Sequence, residues 1–246
     1  MKTLGLLETD VLYADLQTDF RSYGHLFTEF FQRYGVALNY RFYQVQQGEL
    51  PQPGDCDAYL ITGSKAGVYD DLPWIPPLQA WIREAFTRQE KIIGICFGHQ
   101  LLAHTLGGFA ARSPKGWGIG VRSETIQQLP AWLDDTAAQL TLIYSHRDQV
   151  ERLPPAAVRI AGSEFCENAA FVIGEQVLAL QGHPEFTPAY TRRLLPRRET
   201  CVGAELLLQG LNSLDRPTDA HRVCDWMATF IGARSGASES LGVTGF

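Results

Sequence analysis

No stretch of this chain stays apolar for the ~18–20 residues that a membrane-crossing helix needs, so no membrane partner is expected. The opening MKTLGLLETDVLYADL meets acidic residues too early for a signal peptide. Paired cysteines are missing as well. Cys56, Cys96, Cys166, Cys201 and Cys224 are odd in number and scattered, with no CxxC pair. That argues against a disulfide framework and against a zinc site, and it fits a reducing compartment. A cytoplasmic protein without a metal or other cofactor is expected. Positive charge is also in short supply: 21 Lys and Arg against 27 Asp and Glu leave a formal net charge of −6. No basic footprint therefore points to nucleic acid or to an anionic membrane. The one basic cluster, Arg192, Arg193, Arg197 and Arg198, is accounted for by a solvated helix face. No P-loop or other phosphate-cradling motif is present.

What is there is an ordinary composition for a folded chain, 45% hydrophobic and 20% charged over 246 residues, with ample material for a core. Thr3 to Glu8 reads as a buried strand, His25 to Tyr34 as an amphipathic helix, and Val36 to Val45 as a second strand. The segment from Asp10 to Tyr23 is polar. Gln46 to Asp57, rich in Gly, Pro and Asp, reads as a loop. Ala58 to Thr62 is a third strand, and a helix runs from about Leu72 to Thr87. Strands alternating with helices argue for an α/β fold with a doubly wound, largely parallel open sheet and helices on both faces. After Gly108 come five short strand-like runs, near residues 117–121, 140–144, 158–161, 169–173 and 177–180. They predict a small antiparallel addition, a meander beside or on the main sheet. Helical pattern returns from Pro188 to Ile231, broken at Pro196, with Pro217 as the start of the last helix. A single domain over 1–234 is expected, followed by a small, polar C-terminal tail over 235–246.

The stretch that carries chemistry is KIIGICFGHQLLAHTLGG, Lys91 to Gly108. A β-branched run, Ile92 to Ile95, precedes a helical pattern from Gln100 to Leu106, and Gly94-Ile95-Cys96-Phe97-Gly98 lies between. A nucleophile flanked by glycines at a strand-to-helix junction is the cysteine form of the nucleophile elbow. Its glycines leave room for a tight, strained turn, and the helix N-terminus behind it favours thiolate. By itself the pentapeptide fits an activated nucleophile or a buried inert thiol.

A cysteine nucleophile needs a base, and His146 and His183 both follow strand-like runs. In Gln181-Gly182-His183-Pro184-Glu185, residues at i and i+2 of an extended segment face one way, and Pro184 favours extended geometry at His183. Glu185 can therefore orient the imidazole and stabilise its cation.

GICFGHQ around Cys96, together with QGHPEF around His183 and Glu185, resembles the class I, triad-type glutamine amidotransferase family, over roughly Ala58 to Phe186. The resemblance implies a flavodoxin-like layered fold and hydrolysis of glutamine through a γ-glutamyl thioester, with release of glutamate and ammonia. It implies Cys96 as nucleophile, His183 as general base and acid, and Glu185 as its orienter. It further implies an oxyanion hole from the N–H groups of Gly63 and Phe97, although Ser64 stands where the family more often has a second glycine. Gln100, Ser145, His146 and Asp148 match the positions that line the glutamine pocket. Read without the resemblance, Ser145 and Asp148 are ordinary turn residues and Gln100 caps a helix. FGHQ, Lys115-Gly116-Trp117 and Thr62-Gly63-Ser64 look closest to the stand-alone branch that includes the plant γ-glutamyl peptidases. A γ-glutamyl peptide is therefore the alternative to glutamine as substrate. An ammonia-accepting synthase is the partner the resemblance allows, and a non-catalytic partner-binding subunit is the third reading.

Overall fold

In the computed structural model, which describes residues 1–233, a nine-stranded sheet organises the chain. The N-terminal half comprises β1 (Thr3–Glu8), α1 (Ala14–Phe20), α2 (Tyr23–Arg33), β2 (Asn39–Gln44), β3 (Ala58–Ile61), α3 (Ile75–Thr87), β4 (Ile92–Ile95) and α4 (Phe97–Thr105). Strands then dominate: β5 (Phe109–Arg112), β6 (Gly118–Ile126), β7 (Gln139–His146), β8 (Asp148–Arg152), β9 (Val158–Gly162), β10 (Ala170–Ile173) and β11 (Val177–Leu180). Four helices close the described chain: α5 (Pro188–Leu194), α6 (Glu199–Val202), α7 (Ala204–Ser213) and α8 (Ala220–Ile231).

Across the sheet the strands run β2-β1-β3-β4-β11-β10-β9-β6-β7. The first five are parallel. From β11 onward neighbours alternate antiparallel, so the later strands lie beside the parallel set and extend it. A separate two-stranded sheet pairs β5 with β8. The α/β architecture expected from the alternation of strands and helices is the one observed.

Strand periodicity sorts the core into two faces. Leu60, Ile93, Ile95, Leu178 and Leu180 face one way, against Phe27, Phe30 and Phe31 of α2 and Val223, Met227 and Phe230 of α8. Their neighbours Tyr59, Ile61, Ile92, Val177 and Ala179 face the other way, against α3 and α4. Each fully buried large side chain contributes about 1.5–3 kcal/mol of transfer free energy, which fixes both helical layers on the sheet. The carboxyl ends of β3, β4 and β11 then lie side by side, where ligands of doubly wound sheets bind.

Local departures have physical causes. The polar segment from Asp10 to Tyr23 contains α1, a short helix that buries only Leu16 and so shows no apolar stripe. Arg193 and Arg197 hold it through Asp15 and Asp19. The second strand begins at Asn39 rather than Val36, because its register is set by pairing Thr3 with Asn39. The last helix starts at Ala220, not at Pro217. Asp219 exchanges two hydrogen bonds with the Thr141 backbone, donating from its N–H at 2.7 Å and accepting at its carboxylate at 2.6 Å, and this pins the helix start to β7. The tail expected over 235–246 lies outside the described residues. Among the described residues no helix is long and apolar enough to cross a membrane, and no cluster of three or more His, Cys, Asp or Glu could hold a metal.

Candidate active site

β4 delivers Cys96 to the carboxyl end of the sheet, and α4 begins at the next residue. The chain turns within one residue, and Cys96 takes φ 54° and ψ −101°. A non-glycine residue in that region is strained and persists only where its surroundings hold it. A Cβ on Gly98 would lie 2.3 Å from the Ile61 carbonyl oxygen, and one on Gly94 would lie 2.6 Å from the Gly98 carbonyl. Only glycine lets α4 approach the strands so closely. The Cys96 N–H donates to the Leu180 carbonyl at 2.9 Å, which ties the elbow to β11. Phe97, buried against Trp74, is the first residue of α4, so its N–H belongs to the unsatisfied first turn.

β11 also carries the chain to His183, whose N–H donates to the Ile143 carbonyl at 2.8 Å. Its Nδ1–H donates to Glu185 Oε1 at 2.8 Å, with both residues buried. Phe186 stacks on the imidazole, ring centroids 3.8 Å apart and planes 6° from parallel. The other ring nitrogen, Nε2, is not engaged by Glu185, and Cys96 is near enough to act on the charge of the imidazole. Burial favours the neutral imidazole, but Glu185 and Cys96 outweigh it and push the His183 pKa up to about 10. An imidazolium held between a carboxylate and a sulfur is an arrangement suited to proton transfer on and off a leaving group.

The competing histidines are placed differently. His146, at the corner between β7 and β8, donates from Nδ1 to the Asp148 carbonyl at 3.0 Å. Burial drives its pKa down to about 4, with no carboxylate to offset it. His99 points into the core, where its Nε2–H donates to the Asn168 carbonyl at 2.9 Å and burial lowers it to about 3. Of the three, His183 alone has a carboxylate partner, the Glu185 that alternation about Pro184 places beside it.

Gly63 follows β3 and lies against both partners: a Cβ there would meet His183 Cε1 at 3.0 Å and Cys96 Cβ at 3.6 Å. A cavity of about 240 Å³ opens beside Cys96 and is lined by Gln100, Ser145, His146 and Asp148, so all four expected pocket residues gather there. Their chemistry is not uniform. Gln100 is buried, and its Nε2 is committed to the Asp148 carbonyl and Gln181 Oε1, at 2.8 and 3.0 Å, leaving its own Oε1 for a bound molecule. Ser145 Oγ is buried without a partner among the described residues, and the Asp148 carboxylate accepts from Tyr69 at 2.8 Å.

Tyr69 and Arg198 are among the groups at this cavity that sequence does not single out. Tyr69 follows a flexible turn and carries no motif. Arg198 was grouped with three arginines that pair with Asp15, Asp19 and Asp215 on the surface. Arg198 instead lies over the Trp117 ring, 5.1 Å from its centroid, and has no acidic partner among the described residues. It lines the cavity and also a smaller cleft, shared with Tyr23, Gly63 and His183, that likewise reaches Cys96.

Comparison with known proteins places the chain in a family. Gamma-glutamyl peptidase 3 of Arabidopsis thaliana is 34% identical over 176 residues, 68% of this chain and 71% of that protein. A GMP synthase [glutamine-hydrolyzing] of Thermomicrobium roseum is 34% identical over 127 residues, 51% of this chain and 23% of the longer relative. In fold, a glutamine amidotransferase of Thermotoga maritima superimposes with a TM-score of 0.72 at 21% identity, covering 94% of this chain and 96% of its own. Residues 18–200 match the model of the class I glutamine amidotransferases, and the chain belongs to that family.

Proposed function

We propose that the chain hydrolyses γ-glutamyl amides through a thioester on Cys96. The Cys96 thiolate attacks the γ-carbonyl carbon, and the Gly63 and Phe97 N–H groups receive the negative charge that develops on its oxygen. The C–N bond breaks as His183 gives its proton to the departing nitrogen. Water, deprotonated by His183, then cleaves the thioester to release glutamate and restore the thiolate. The observation that supports this reading most is one carboxylate-held imidazole, raised to about 10, beside a cysteine at a strained elbow.

With glutamine the leaving group is ammonia, which a partner synthase could accept. A γ-glutamyl peptide is the second substrate reading, and Arg198 favours it. An arginine without an acidic partner, facing the cysteine's cavity, fits a second substrate carboxylate such as the C-terminus of a departing peptide. The name of the Arabidopsis relative is consistent with that chemistry.

A three-substrate panel tests both readings: glutamine, glutathione, and glutathione with its C-terminal carboxylate amidated. Ammonia release reports glutamine cleavage and free-amine release reports peptide cleavage. The peptide reading expects kcat/KM to be highest for the free-acid peptide. It also expects Arg198→Ala to raise KM for that peptide by about tenfold or more, since a charge-assisted hydrogen bond contributes about 1.5–3 kcal/mol. Preference for glutamine, with Arg198→Ala indifferent, would remove the peptide reading and keep the hydrolase. Turnover of none of the three would remove the hydrolase.

A further inference from the structure

We infer that Thr9, at the end of β1 and outside both catalytic motifs, is a positioning residue that sets the oxyanion-binding peptides after β3. The inference rests on the reading of Gly63 as an oxyanion donor. Thr9 and Thr62 are both fully buried. The one proton of Thr9 Oγ1 is shared in a three-centre bond between the Thr62 and Gly63 carbonyls, each oxygen 3.1 Å away. Its N–H donates to Thr62 Oγ1 at 3.1 Å, and Thr62 Oγ1 in turn reaches the Gly63 carbonyl at 3.3 Å. Ser64 Oγ closes the clasp by donating to the Thr9 carbonyl at 3.2 Å.

The consequence follows from peptide planarity. In a trans peptide the C=O and the N–H of one plane point in opposite directions. The Thr62 carbonyl shares its plane with the Gly63 N–H, and the Gly63 carbonyl shares its plane with the Ser64 N–H. A single hydroxyl that holds both carbonyls therefore holds both N–H groups facing away from it. Among the described residues, neither N–H has an acceptor in the protein. Gly63 itself lies against Cys96 and His183, so the donors are fixed where the negative charge develops. Hydrogen bonding to a carbonyl also polarises the N–H of the same peptide. Preorganised donors of this kind act on the transition state more than on bound substrate.

Thr9→Val, which keeps the shape and removes the hydroxyl, and Thr9→Ser, which keeps the hydroxyl, test this with glutamine and glutathione as substrates. Loss of a direct oxyanion donor reduces kcat by about 10²–10³-fold, and loss of its support should have a smaller effect, about tenfold. Thr9→Val is expected to lower kcat by about that factor with KM within about twofold of wild type, and Thr9→Ser is expected to restore it. Alkylation of Cys96 by iodoacetamide, followed by mass spectrometry of the Cys96 peptide, supplies the second readout. Displacement at a saturated carbon creates no oxyanion, so the alkylation rate should be unchanged in Thr9→Val. Wild-type kcat in Thr9→Val would overturn the inference and leave the Cys96 chemistry standing. A parallel fall in turnover and alkylation would also overturn it, because Thr9 would then support the nucleophile. A wild-type protein with no turnover on either substrate would remove the hydrolase reading and this inference with it.

Discussion

Cys96→Ala should bring γ-glutamyl hydrolysis to background, a loss of at least about 10⁴-fold, with the fold unchanged. The scale is large because covalent catalysis has no bypass here: without the sulfur, His183 has no nucleophile beside it to activate. The fold should tolerate the change. Cys96 is 6% exposed, and alanine fills the same strained backbone position with a slightly smaller side chain. A thermal melt within a few degrees of wild type would separate lost chemistry from lost structure. The same variant should lose labelling by a glutamine-like chloroketone. In the native protein the adduct should map to Cys96 and not to Cys201, the other thiol that lines the cavity. Hydrolysis by Cys96→Ala at the wild-type rate, or an adduct on Cys201, would contradict the assignment.

How far such residues can be read from sequence depends on whether their role is local. The elbow was legible because Gly94 and Gly98 answer a steric demand made by the chain within two residues of Cys96. The relation of His183 to Glu185 was legible for a similar reason, since alternation about Pro184 is a property of five consecutive residues. Gly63, Phe97 and the pocket residues came from family resemblance. Gly63, Phe97 and Gln100 gather beside Cys96 because β3 and β4 are neighbours in the sheet. Ser145, His146 and Asp148 arrive instead from β7 and β8, through the bridge of Ile143 to His183 and the bond of Gln100 to the Asp148 carbonyl. Thr9 carries no local signal. Its hydroxyl matters only because β1 lies parallel to β3, which brings residues 53 and 54 positions apart into contact. Arg198 fails differently: four arginines in seven residues look alike, and only the packing of α5 and α6 decides which one turns from solvent toward Trp117. The pairing of β5 with β8 and the short helix α1 share the difficulty, being stabilised by partners distant in the chain.

Glu185→Gln should lower kcat by about 10²–10⁴-fold while leaving Cys96 in place to be labelled, since the orienter does not attack the substrate. The neutral amide keeps the shape and removes the charge. After burial, which lowers the His183 pKa, the largest influence on it is the Glu185 charge, which raises it. Removing that charge lets burial count for more, so the alkaline limb of the kcat/KM profile should move to lower pH. The sign follows from the proton that His183 must donate: once the imidazolium is lost, the departing nitrogen has no acid. Stability carries the same signature. In the wild type, folded His183 titrates near 10 against an unfolded value of ~6.5. The folded state therefore binds this proton more tightly. Its contribution is fully present below about pH 6.5 and is lost as pH rises toward about 10. Glu185→Gln should flatten that part of the stability profile, measured as urea midpoints between pH 6 and pH 10. An unmoved alkaline limb together with an unchanged stability slope would mean that Glu185 does not hold the proton on His183, and that its hydrogen bond serves packing alone.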